Sequence, residues 1–195
     1  MRKGIFLFVL MTPLLLLSGC FGGGEDQKLL DLALTIRGEY LAMESFSAAA
    51  ELTADYGQRV YTYSLDAAAQ GEELRLTILR PDIVSGITAR INPDGGFLEY
   101  DDMSVETGPL TDEGLSPISA IPALLEQLRS GYITAWSSEQ DGSFRITCGD
   151  PNVPPSMGTA YDLWFDPDSH ALLRGEVSTD GRRCIQCIFS SFTKE

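Results

Sequence analysis

Cys184-Ile185-Gln186-Cys187 has the spacing of a redox or metal-binding thiol pair. A reactive pair of this kind draws its lowered thiol pKa from a helix N-terminus. The apolar alternation around these residues instead predicts the last strand of the chain, where positions three apart face opposite sides with Cα atoms ~10 Å apart. Structural thiols are the favoured reading. A disulfide from Cys148 to one of the pair and a reactive thiol are the alternatives. A zinc site would need a further ligand beyond Cys148. The single histidine, His170, closes the segment Asp166-Pro167-Asp168-Ser169-His170, which has the composition of a hairpin turn and too few regularly spaced oxygens for a calcium loop. Asp101, Asp102, Glu106, Asp112 and Glu113 could supply an acid–base pair, but they read as a solvated acidic loop. Ser18 and Ser116 have no histidine at plausible reach, so a Ser-His-Asp hydrolase would rest on His170 alone, and the pattern predicts neither an enzyme nor a metal site.

The charge balance excludes another class. Fourteen basic residues stand against 28 acidic ones in 195, a net charge of −14. No Lys/Arg cluster and no glycine-rich phosphate loop interrupts this, so nucleic acid is not an expected partner. An apolar fraction of 44% is ordinary for a packed chain.

The residue with the clearest covalent role is Cys20. Arg2 and Lys3 precede an apolar run from Gly4 to Leu17, which Thr12 and Pro13 interrupt, and the run ends in Leu17-Ser18-Gly19-Cys20. A charged start, a short apolar stretch and small residues describe a signal peptide over 1–19, too short to span a bilayer comfortably. The ending resembles a bacterial lipobox. That resemblance implies a diacylglyceryl group on the Cys20 thiol and cleavage before Cys20, with acylation as the only non-protein group expected. Each buried methylene contributes ~0.8 kcal/mol, so two or three acyl chains hold a protein on a membrane stably. Loss of Arg2 and Lys3 takes the net charge to −16, which anionic headgroups would repel, so the anchor has to be apolar. Residues 20–24 then read as lipidated cysteine and flexible tether, and 25–195 as one domain.

Within that domain, Leu29, Leu32, Ala33, Ile36, Tyr40 and Met43 recur at helical spacing. After Phe46 the period falls to two: strands are predicted around 48–56, 60–65, 74–78, 83–91 and 97–100. A second helix is predicted from Ser116-Pro117 to Gly131, which either begins near Pro122 or is kinked there. Further strands are predicted at 132–138, 143–148, 159–165, 172–179 and 183–192, with Asp141-Gly142, Asp166-Pro167-Asp168 and Asp180-Gly181 as turns. The sum is an α+β chain of nine or ten antiparallel strands, meandering between neighbours, with two helices.

This layout resembles the LolA/LolB-like fold of periplasmic lipoprotein carriers and related envelope lipoproteins. The likeness rests on the N-terminal helix, Leu79-Arg80-Pro81, the strand Phe97-Leu98-Glu99-Tyr100, the helix after Ser116-Pro117, and the run Leu163-Trp164-Phe165-Asp166 through Asp180-Gly181 to Phe192. It implies a strongly curved antiparallel sheet, an incomplete β-barrel, roofed by two helices over an apolar concavity that holds acyl chains. Tyr61, Tyr63, Leu74, Leu76, Ile78, Trp136 and Trp164 are candidates to line it. The expected function is therefore a membrane-anchored, extracytoplasmic lipoprotein that binds an acyl chain or a lipidated protein. The alternative is a non-enzymatic interaction or accessory lipoprotein of the cell envelope or spore cortex, its concavity filled. The lipobox generates a direct test: Cys20→Ala should abolish labelling by radioactive palmitate and release the protein from membranes, and persistent labelling would refute the anchor.

Overall fold

In the computed structural model, residues 23–108, 113–154 and 156–195 are described. The lipobox cysteine, the signal peptide and Asp112 lie outside them. Helix α1 spans Gly23–Ala42, so Gly23 and Gly24, expected in the tether, are its first residues. Ala33, Ile36 and Tyr40 fall on one face and are fully buried. Helix α2 spans Ala120–Ser130. It begins four residues after Ser116, because the Ser116 and Ser119 hydroxyls bond each other at 2.7 Å and hold 116–119 as a separate turn. Pro122 thereby falls in the first helical turn, where its missing N–H costs nothing.

Eleven strands follow the period-two pattern: β1 Ser45–Asp55, β2 Val60–Gln70, β3 Glu73–Arg80, β4 Thr88–Asn92, β5 Gly95–Tyr100, β6 Met103–Gly108, β7 Ile133–Ser138, β8 Phe144–Gly149, β9 Thr159–Phe165, β10 Leu172–Thr179 and β11 Arg182–Lys194. The count exceeds the nine or ten expected because part of the acidic segment after Asp101, read as a loop, forms β6. Conversely, 83–91 is not one strand: a 3-10 turn at Asp82–Val84 precedes β4. The sheet is wholly antiparallel in the order β6-β5-β4-β3-β2-β1-β11-β10-β9-β8-β7. It is a meander broken once, where β1 pairs with β11, and it stays open with β6 and β7 as edges.

Six of the ten strand pairings carry a register shift, the irregularity that bends strands and curls a sheet. One of these has a visible packing consequence. The shift of β11 against β1 at Ala49/Ala50 lets Phe189 and Phe192, three residues apart, meet at 5.7 Å. Phe192 also stacks on Phe46 at 5.3 Å and lies 5.7 Å from Tyr40, which seats the end of α1 on the sheet.

The inner face is apolar, and the helices cover it unevenly. Helix α1 packs on β7 and on α2, and α2 packs on β8, β9, β10 and β11. The approach of α2 needs a missing side chain: a Cβ on Gly175 would stand 2.6 Å from Leu124 Cδ1. Leu124 is fully buried, so moving it aside would disturb the packing around it. Gly175→Ala should therefore lower stability by ~1–3 kcal/mol in denaturant unfolding. An unchanged midpoint would show that α2 does not bear on β10 as described.

Candidate functional site

The two helices meet at their C-terminal ends, where unpaired carbonyls and the negative ends of two helix dipoles would otherwise face each other. Each helix supplies the other's remedy. Arg37 of α1 donates from Nε to Leu128 O at 2.7 Å and from Nη2 to Gly131 O at 2.6 Å, closing α2. Arg129 of α2 donates from Nε to Tyr40 O at 2.9 Å, closing α1. A third tie fixes α1 to the sheet: the Glu39 carboxylate accepts from Lys194 Nζ at 2.6 Å and contacts His170 Nδ1 at 2.8 Å. His170 thus sits in the turn between β9 and β10 and serves as a partner of α1.

These ties leave the β1–β5 side of the inner face with α2 along one flank only. Between them runs a groove of about 990 Å³. Its floor is one cross-strand row, Phe46–Ala69–Leu74–Ile91–Gly96, one residue from each of β1 to β5. Its wall is the flank of α2, including Pro122, Ala123 and Leu125. Two turns set part of the row. The Gly71-Glu72 turn puts Ala69 opposite Leu74, and the Pro93-Asp94 turn puts Ile91 opposite Gly96.

The seven candidate lining residues divide. Tyr61, Tyr63, Leu76, Ile78 and Trp136 share the inner face, since their cross-strand partners are the core residues Ala54, Leu52, Ala67, Leu65 and Ile146, and Leu74 joins them opposite Ala69, which is partly buried against that core. Only Leu74 among them borders the groove. Leu76 is buried in the core, whereas Tyr61 remains partly exposed at the other end of β2. Trp164 is on the outer face, opposite Arg145 and Arg174 in the ladder, with the Arg174 guanidinium 3.7 Å above its ring. It therefore cannot line a concavity under the helices. Alternation within Leu163-Trp164-Phe165 carries the reason: Leu163 and Phe165 are the inward pair. Phe46, Ala69, Ile91 and Gly96 were absent from the sequence expectation.

The thiols are placed for packing. Cys148, Cys184 and Cys187 are free. Cys148 is on β8 and Cys187 on β11, three strands apart, or ~14 Å at the spacing of a sheet, which is beyond bridging distance. Burial pushes the Cys187 thiol up to about 12, and burial, opposed by Arg37, takes Cys148 to about 11. Both are therefore protonated and inert at neutral pH. Among the described residues, no three His, Cys, Asp or Glu side chains gather as a metal site. No described helix is long and apolar enough to cross a membrane.

An open antiparallel sheet with two helices on its inner face is the α+β layout that the sequence resemblance implied, and solved structures share that fold. An uncharacterised conserved protein from Thermus thermophilus is similar in fold, with 11% identity, a TM-score of 0.50 and 88% of each chain covered. A putative outer membrane lipoprotein-sorting protein domain from Vibrio parahaemolyticus has 11% identity and a TM-score of 0.46, over 87% of this chain and 93% of that one. A LolA superfamily protein from Nitrosomonas europaea has 11% identity and a TM-score of 0.44, over 86% and 93%. At these identities the likeness is one of fold. No protein-family model and no curated protein sequence matches the chain.

The tie at Glu39 sets a pH dependence. The hydrogen bond from Lys194 is the main influence holding its carboxyl below the ordinary 4.5, with His170 adding to it against partial desolvation. A carboxylate whose pKa is lowered by folding adds stability above its ordinary range and loses it as pH falls through the lowered value. Glu39→Gln should cost up to about 1 kcal/mol at pH 7, discounted for exposure. The gap from wild type should close in acid when denaturant unfolding is followed at both pH values. A gap of constant size would show that the ion pair contributes nothing.

Proposed function

We propose that the chain is a non-enzymatic, extracytoplasmic lipoprotein, anchored through acylated Cys20, that receives an acyl chain or the acyl part of a lipidated protein in its groove. The observation that carries this reading is the continuous apolar floor from Phe46 to Gly96 beside α2. At about 990 Å³ the groove is at the upper end of the ~300–1,000 Å³ range of small-molecule sites. Each methylene seated on it would contribute ~0.8 kcal/mol. The LolA-like layout supports the same reading.

Native mass spectrometry of the full protein, extracted from its own membranes in mild detergent, tests it. The wild type should carry non-covalent acyl-bearing mass beyond the modification at Cys20. Ala69→Phe, which fills the floor, should lose that mass, and so should Leu74→Ser, which makes the floor polar. Ligand-free wild type, or variants that keep full occupancy, would overturn the reading.

The rival reading, an interaction or accessory module, has its own observation. Strand β6 is a free sheet edge, and Met103 and Val105 on it are 64% and 63% exposed. Such an edge accepts an added strand from a partner. In that case β6 substitutions would abolish partner capture while acyl occupancy stayed unchanged.

A further inference from the structure

The groove has an electrostatic character that its apolar floor does not require. Glu44, Glu72, Glu73, Glu126 and Glu195 border it, against one bordering cation, Arg129. These carboxylates come from four separate places in the chain: the α1–β1 junction, the β2–β3 hairpin, α2 and the end of β11. Glu73 is partly neutralised by Arg75 at 2.7 Å. Arg129 has its Nε engaged by Tyr40 O. Among the described residues, the side chain of Glu126 is held only by the neutral Ser130 hydroxyl at 2.7 Å. Glu44, Glu72 and Glu195 form no ion pair among the described residues. The border of the groove therefore carries five carboxylates against one cation, in a chain that is already at −14.

From this charge complementarity we propose that the groove selects an amphiphile whose apolar chain ends in a cationic group, such as an amine or quaternary ammonium, and rejects one ending in a carboxylate or sulfate. The proposal rests on the acyl-binding reading and narrows it. The apolar tail lies along Phe46, Ala69, Leu74 and Ile91, and its head meets Glu72 and Glu126 at the rim. An anionic head placed there would be repelled at a distance where solvent screens only part of the field. A low-dielectric wall on one side concentrates that field.

The test uses two simple amphiphiles of equal tail length, dodecyltrimethylammonium and laurate, below their micellar concentrations, as competitors for a fluorescent apolar dye bound to the full protein. The ammonium should displace the dye at concentrations about tenfold lower than laurate at 20 mM salt, and the ratio should fall toward unity in 1 M salt. Glu72→Gln combined with Glu126→Gln should reduce that ratio several-fold. Asp101→Asn with Asp102→Asn, which makes the same change in net charge at the far end of β5, should leave it unaltered. Equal displacement by both amphiphiles, or a preference that follows net charge in both double variants alike, would overturn the selection while leaving acyl binding intact. Failure of both amphiphiles to displace the dye would instead remove the acyl-binding reading beneath it.

Discussion

An eleven-stranded open sheet with one apolar face has more inner surface than helices of 20 and 11 residues can cover. That mismatch governs the molecule. The helices do not spread to share the load, because Arg37 and Arg129 lock their C-terminal ends together and Gly175 admits α2 tightly onto β10. The β7–β11 side becomes a packed core around Tyr40, Leu124, Phe165 and Leu172. The β1–β5 side keeps a groove.

The two faces of the sheet solve different problems. Outside, a long polar side chain covers the largest apolar group, Arg174 over Trp164, which is buried without lying in the core between sheet and helices, while Ile188 stays exposed. Inside, no described side chain plays that part over Leu74 and Ile91, and the carboxylates border the slot. The titratable groups follow the same division. Cys148 and Cys187 are buried and unreactive, and His170 and Glu39 work as fasteners between helix and sheet, so the described residues concentrate their unfulfilled potential in an apolar slot.

Much of this was legible in the sequence, and the failures have physical causes. Period-two alternation located most strands, and Leu29 to Tyr40 marked α1 and its buried stripe. Segment 103–108 was hidden because β6 is a short edge strand inside an acidic stretch, where Met103 and Val105 alternate with Ser104 and Glu106 but neither face is committed to a core. The inward or outward sense of Trp164 was ambiguous because three bulky apolar residues stand in a row, and size alone does not say which of them turns out. The row Phe46–Ala69–Leu74–Ile91–Gly96 was partly readable, since two short turns fix two of its pairings. The β1–β2 and β3–β4 registers that complete it depend on longer connections. Nothing local could show that α2 would stop short of that row, because its position is set by two arginines some ninety residues apart in sequence.

The claim on which the functional reading stands is that this groove holds acyl chains in the cell. A photoreactive amino acid placed at Leu74, on the floor, and separately at Ile188, an exposed position on the outer face, addresses it directly. Illumination of living cells followed by mass spectrometry of the purified protein should give a covalent acyl-bearing adduct at 74 and none at 188. Adducts at both positions alike, or at neither, would contradict it.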